Sequence, residues 1–251
     1  MVDPSPALAA LVAVLALVAV ATVGATGLPL RRDVGVAAAR AAVQLAAVSA
    51  VLVVVLRSPA LTAAFLVAMF AVAAVTAGRR TGAVGGWRAT ALPIAAGTLP
   101  VVAAVMGSGV VPWRPASVLP MTGIILGGAM VATALAARRM TDELGARAGE
   151  YEAALALGLP AREAVLEIAR PAAELALMPG LDQTRTVGLV TLPGAFVGVL
   201  LGGGSPTEAG AAQLVVLVGL LAAQSLAVLT TVELVARQRL TTPSLAARLP
   251  R

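Results

Sequence analysis

Apolar positions in this chain come in long unbroken runs, and polar positions collect between the runs rather than alternating with apolar ones. A helix needs roughly 20 predominantly apolar residues to cross a bilayer. Seven runs approach or reach that length, at about 7–27, 36–56, 60–77, 89–111, 117–137, 186–204 and 209–234. The pattern predicts an all-α, polytopic membrane protein with about seven transmembrane helices in a single domain over 1–251. Only Asp3 carries charge ahead of the first run, so that run is expected to stay attached rather than act as a cleaved signal.

The main polar island is 138–171, between the fifth and sixth runs. Good helix formers fill 150–157 and stop at Gly158, with Pro160 two residues later. This predicts two short helices meeting at a sharp turn. A helix of that length is marginal alone in water and needs a surface to dock on.

Several runs carry interruptions. Pro93, Gly97 and Pro100 predict a kink in the fourth, because proline removes a helix hydrogen bond that neighbours must replace. Gly123 and Gly127 form a GxxxG pair in the fifth. Pro193 breaks the sixth, and Gly194, Gly198 and Gly202 follow at every fourth position. Such stripes let helix backbones approach closely, within one subunit or across a dimer interface.

Composition agrees with the pattern. The chain is 59% hydrophobic and 12% charged, and it has no cysteine and no histidine, which removes disulfides, thiolate metal sites and imidazole chemistry. All 18 cations are arginine. With the N-terminus outside, every arginine except Arg57 and Arg114 falls on the cytoplasmic side, so the positive-inside rule places the island and the C-terminus in the cytoplasm. That distribution accounts for the net charge of +6 without nucleic acid as a partner. A phosphate-cradling GxxxxGK[ST] loop needs a lysine, and the chain has none. Leu201-Gly202-Gly203-Gly204-Ser205 lies in a predicted external turn and is read as chance. No catalytic residue is identified.

Within the island, Glu152-Ala153-Ala154 is followed by three residues and Gly158, then nine residues and Ile168, then Pro171. This spacing resembles the EAA loop of ABC transporter permeases, departing from it at Arg170, where that family prefers leucine. Pro120-Met121 with Gly123 and Met130, the island, and the run 179–194 together resemble the FetB-type iron export permeases and the plant aluminium-sensitivity permeases. The resemblance covers roughly 31–237.

It implies a permease that dimerises and pairs with a separate nucleotide-binding subunit, which would hold the ATP and Mg; this chain would bind no cofactor itself. Glu152, Ala153, Ala154, Gly158, Ile168 and Pro171 would form the part that couples to the ATPase, with Arg147 and Glu150 making polar contacts at its rim. The family's role implies iron efflux across the cell membrane. For such a cation the chain offers carboxylate, carbonyl, hydroxyl and thioether ligands. Met121, Met130, Thr133 and Asp182 are the candidates, Asp182 as the metal-ligating carboxylate or as a partner of Arg185, and Pro193 joins them along the path. Another cation or a small organic solute remains open as substrate. The competing class is an ATPase-independent secondary transporter or channel, which should carry two related halves with broken helices at matching places.

Overall fold

The structure is a computed structural model and describes residues 5–247. The acidic start at Asp3, and Arg248 and Arg251 of the charge count, lie outside the described residues. The chain falls into two compact units, Met1–Ser58 and Pro59–Arg251.

The first unit is a helical hairpin. Helix α1 (Pro6–Ala25) starts where the Ser5 hydroxyl accepts the Leu8 N–H at 3.3 Å, with Pro6 in the first turn. Helix α2 (Arg31–Val55) returns after a turn at Gly27, whose φ of +71° suits glycine. The two lie close: a Cβ at Gly35 would meet the Val20 side chain at 3.5 Å. No residue of α1 is buried, although its mean hydropathy reaches 2.7. A helix apolar all round and covered by little protein is suited to acyl chains.

The second unit is built on four long helices: α3 (Pro59–Thr81), α4 (Trp87–Gly107), α5 (Pro115–Ala146) and, after the intervening short helices, α10 (Pro206–Ala236). Helix α10 packs along α5 and α4, and α3 packs against the same pair. The contacts are close because the facing residues are small. A Cβ at Gly97 of α4 would fall on the Ala223 carbonyl of α10, and one at Gly128 of α5 would fall on Leu220. Alanines 129, 132, 134, 136 and 137 of α5 are buried. In lipid, such close van der Waals packing supplies what the hydrophobic effect supplies in water.

Between α5 and α10 the chain forms α6 (Ala148–Ala156), α7 (Ala161–Ala173), a 3-10 turn (Glu174–Ala176), α8 (Met178–Thr186) and α9 (Gly194–Leu201). The short α11 (Pro243–Ala246) follows α10. Among the described residues, six helices are long and apolar enough to span a membrane, not seven. The predicted span at 186–204 is not one continuous helix. Helix α8 ends at Thr186, Gly188 takes φ +79°, Val187 and Thr191 bridge, and Pro193 caps α9 in an extended conformation. Proline disfavours the helical region for its predecessor, and with the left-handed Gly188 ahead of it the two helices do not fuse. At 8 residues, α9 reaches only about 12 Å, well short of a bilayer core of about 30 Å.

Two further expectations change. The fifth span continues as helix past 137 to Ala146, so 138–146 is not loop. At 32 residues, α5 is about 48 Å long and must project beyond the hydrocarbon core. Within the single chain, the glycine pairs are also not where helices approach closely. Nothing lies within 4 Å of a Cβ at Gly127, Gly194 or Gly198, Gly202 is a helix cap beside its own Gly198 carbonyl, and Gly123 meets only the tip of Met69. Gly97, Gly128 and Gly180 carry the close packing instead.

Candidate functional site

Helices α6 and α7 form an elbow at the arginine-rich end of the second unit. The turn is a Schellman motif: the Gly158 N–H donates to the Leu155 carbonyl at 2.9 Å and the Leu159 N–H to the Ala154 carbonyl at 3.1 Å. It requires a left-handed residue after the cap, and Gly158 has φ +90°. Pro160 then caps α7, where a missing N–H costs nothing, and Glu163 complements the positive end of the helix.

The elbow is docked along one face. On α7, Ala164, Val165, Ile168, Ala169 and Ala173 are buried at helical spacing, while Glu163, Glu167 and Arg170 face out. The buried face joins Met140 and Leu144 of α5, Tyr151 of α6, Val235 of α10, and Leu240 and Leu245 beyond it. Ile168 therefore serves the elbow's internal face, and Pro171 is an exposed residue inside the last turn of α7.

Polar ties reinforce the docking. Arg147 forks onto the Glu150 carboxylate, with Nε to Oε1 at 2.8 Å, and donates to the Ile168 carbonyl at 3.4 Å, joining the end of α5 to both short helices. Its guanidinium holds the Glu150 carboxyl below the usual carboxylate range. Arg162 of α7 forks onto Glu233 of α10 at 3.0 and 2.7 Å, and that carboxylate raises the Arg162 pKa. The Gln238 amide donates to the Tyr151 hydroxyl at 3.1 Å, and burial pushes the Tyr151 phenol upward.

What the elbow presents outward is a small mixed patch. Glu152, Ala153 and Gly158 are exposed, and Ala154 is half-buried. At the tip stands Leu157, 83% exposed. A large apolar side chain held outward on a turn has the character of a docking knob. Leu157 sits inside the Glu152 to Gly158 spacing, and its exposure becomes visible only in the folded turn.

The other candidate residues are not gathered into one place. Met121 packs with Met106, Ile125 and Val216, whereas Met130 packs against Ile94, Leu126 and Ala227. Pro193 caps α9. Asp182 has a side chain 66% exposed and pairs with Arg185 at 3.6 Å. Among the described residues, no group of three or more carboxylate, histidine or cysteine side chains is positioned to hold a metal ion.

Thr133 is different: it is fully buried, and its hydroxyl has no hydrogen-bond partner. The same is true of the hydroxyls of Thr98 and Thr122 and of the side-chain carbonyl oxygen of Gln224. These four oxygens belong to α4, α5 and α10, the three helices of the tightest packing. Gln224 is wedged between helices, so that a Cβ at Gly180 of α8 would fall on its carbonyl oxygen. Buried polar groups are nearly always paired, and an unmet oxygen in a membrane core is costly. Thr98, Thr122 and Gln224 were legible only as polar letters inside apolar runs, a signal of function in a span.

Residues 7–240 match the family UPF0014, described as an uncharacterised protein family. The chain belongs to the UPF0014 family. Relatives include the UPF0014 membrane protein STAR2 of Oryza sativa subsp. japonica, 38% identical over 59% of this chain and 53% of its own length. UPF0014 membrane protein YjkA of Bacillus subtilis is 30% identical over 78% of this chain and 79% of its own length. The probable iron export permease protein FetB of Escherichia coli is 34% identical over 47% of this chain and 46% of its own length. Matches to the plant relatives span about half of their length. No solved structure matches significantly. The chain is therefore a multi-pass membrane protein of the UPF0014 family, as the resemblance to FetB and the aluminium-sensitivity proteins implied.

Proposed function

We propose that this chain is the membrane-spanning permease subunit of an ABC transporter, exporting iron or another metal cation by alternating access. The observation that carries this reading is the α6–α7 elbow, a rigid turn presenting Glu152, Ala153, Leu157 and Gly158 outward at the end of the longest helix. The nucleotide-binding subunit seats on that turn and holds ATP and Mg, for which this lysine-free chain has no phosphate loop. The arginine-rich end is cytoplasmic, the N-terminus is outside, and two copies of the chain pair in the membrane.

Motion of the ATPase reaches the membrane through the ties of the elbow. Arg147 passes it to α5, and Arg162–Glu233 and Tyr151–Gln238 pass it to α10. Those helices carry Thr122, Thr133 and Gln224, and α4 between them carries Thr98. The unmet oxygens replace water around the cation as it crosses, a donor set compatible with iron as substrate. Iron comes from the name of FetB, and the oxygen donors are compatible with other hard cations too.

Co-purification with the ATPase encoded beside it tests the reading. Wild type is expected to hold the ATPase, and Leu157→Asp or Glu152→Arg to release it while inserting normally. If the wild-type chain retains no ATPase in intact membranes, an ATPase-independent carrier replaces this reading.

A further inference from the structure

A groove of about 410 Å³ lies between α4 and α10 where α10 ends. Its apolar wall is Leu92 and Leu229, 55% and 66% exposed, on surfaces that face acyl chains in a membrane. Its other end is Arg237 and Arg239, with Thr230 and Glu233 between. Greasy at one end and cationic at the other, the groove matches the two halves of a phospholipid.

We propose that it binds an anionic phospholipid, with the headgroup phosphate on Arg237 and Arg239 and an acyl chain along Leu92 and Leu229. Arg237 donates its Nε to Glu233, which leaves its terminal nitrogens available. Arg239 has no side-chain ion pair among the described residues. Two guanidiniums on one phosphate make charge-assisted, directional hydrogen bonds. Basic pockets between spanning helices at a membrane interface are suited to anionic headgroups.

The backbone sets Arg239 at the mouth of the groove. Gln238 is left-handed at φ +56°, the one non-glycine residue with positive φ among those described. Its N–H donates to the Val235 carbonyl and that of Arg239 to the Leu234 carbonyl, both at 2.8 Å. These bonds occupy carbonyls at the negative end of α10, which otherwise oppose an anion. Glycine is the usual residue at such a cap; here Gln238 also reaches Tyr151, so the turn that delivers Arg239 is fastened from a second side. The proposal depends on the chain being a membrane protein and not on any ATPase partner.

Native mass spectrometry of the purified full chain tests it, with phosphatidylglycerol and phosphatidylcholine of equal acyl length, and with glycerol 3-phosphate as the soluble anion. The expected result is one lipid retained with at least about fivefold preference for phosphatidylglycerol. Arg239→Gln should remove that preference, and Arg239→Lys, which keeps the charge, should retain most of it. Arg57→Gln, which does not line the groove, should leave it unchanged. Equal retention of the two lipids, or full preference in Arg239→Gln, overturns the proposal. So does displacement of the lipid by equimolar glycerol 3-phosphate, which makes the groove a site for free phosphate.

Discussion

Gln238 donates its side-chain amide to the hydroxyl of Tyr151 at 3.1 Å, joining residues 87 positions apart. One belongs to the first turn of the elbow and the other to the left-handed cap that closes α10. Tyr151 is fully buried, so this bond lies where its loss is felt.

Tyr151→Phe should cost about 1 kcal/mol, the usual net value of one hydrogen bond, plus whatever the unpaired Gln238 amide adds. Hydrogen exchange across α6 measures it, with faster exchange expected there than in α4. The pH dependence has a definite sign. Burial raises the Tyr151 pKa above its ordinary 10.0, so its contribution is intact below that value and is lost as pH rises through the folded one. Alkaline loosening of α6 should lack this component in Tyr151→Phe.

Gly158→Ala places a Cβ on a residue at φ +90°, which costs about 1–2 kcal/mol for left-handed geometry. No neighbour lies within 4 Å of that Cβ, so the cost is backbone strain rather than collision. Gly158→Asn, more tolerant of the left-handed region, should lose less. Thermal unfolding should place wild type highest, Gly158→Asn next and Gly158→Ala lowest, and an alanine variant as stable as wild type contradicts the left-handed turn.

Gln224→Leu and Thr133→Val remove oxygens that have no partner. Replacing an unmet buried polar group by an apolar one of similar shape is close to neutral or stabilising. Unfolding midpoints should therefore stay level or rise, while transport in reconstituted vesicles falls by about tenfold or more if these oxygens line the path. Parallel loss of stability and transport points to a structural role instead.

Gly97→Val drives a side chain into the Ala223 carbonyl and the Ala227 and Ala129 methyls. Overpacking of this kind costs about 1–3 kcal/mol and should separate α4 from α10. Gly198→Val, with open space around it, should be tolerated in the single chain. A defect in Gly198→Val that appears only as loss of a dimer, by crosslinking in membranes, assigns α9 to a subunit interface.

Glu150 titrates in the opposite sense to Tyr151. Arg147 lowers its pKa, so the tie between them is present above the ordinary carboxylate value and is lost as pH falls through the folded one. The pair is exposed, so raising salt should weaken it as well. Protease cleavage near the elbow, followed from neutral to acid pH, should rise earlier in high salt than in low salt.

The long apolar runs determined the membrane class and six of the spans, because a run of about 20 apolar residues has few other folded fates. The elbow was equally legible, since Gly158 followed by Pro160 stops one helix and starts another through backbone geometry alone. The break at 186–204 has a local cause too: its mean hydropathy is that of a span, but Pro193 and the left-handed Gly188 act on the backbone, which averaging does not register. Four-residue glycine spacing did not locate the close contacts within the chain, for another reason. Spacing says which residues share a helix face, and only packing says which faces meet, so Gly97, Gly128 and Gly180 carry the close contacts. Long-range pairs such as Tyr151 with Gln238, the unmet oxygens of Thr98, Thr122, Thr133 and Gln224, and the outward aim of Leu157 belong to the tertiary structure alone. Each depends on how separate helices meet, and no local pattern encodes that.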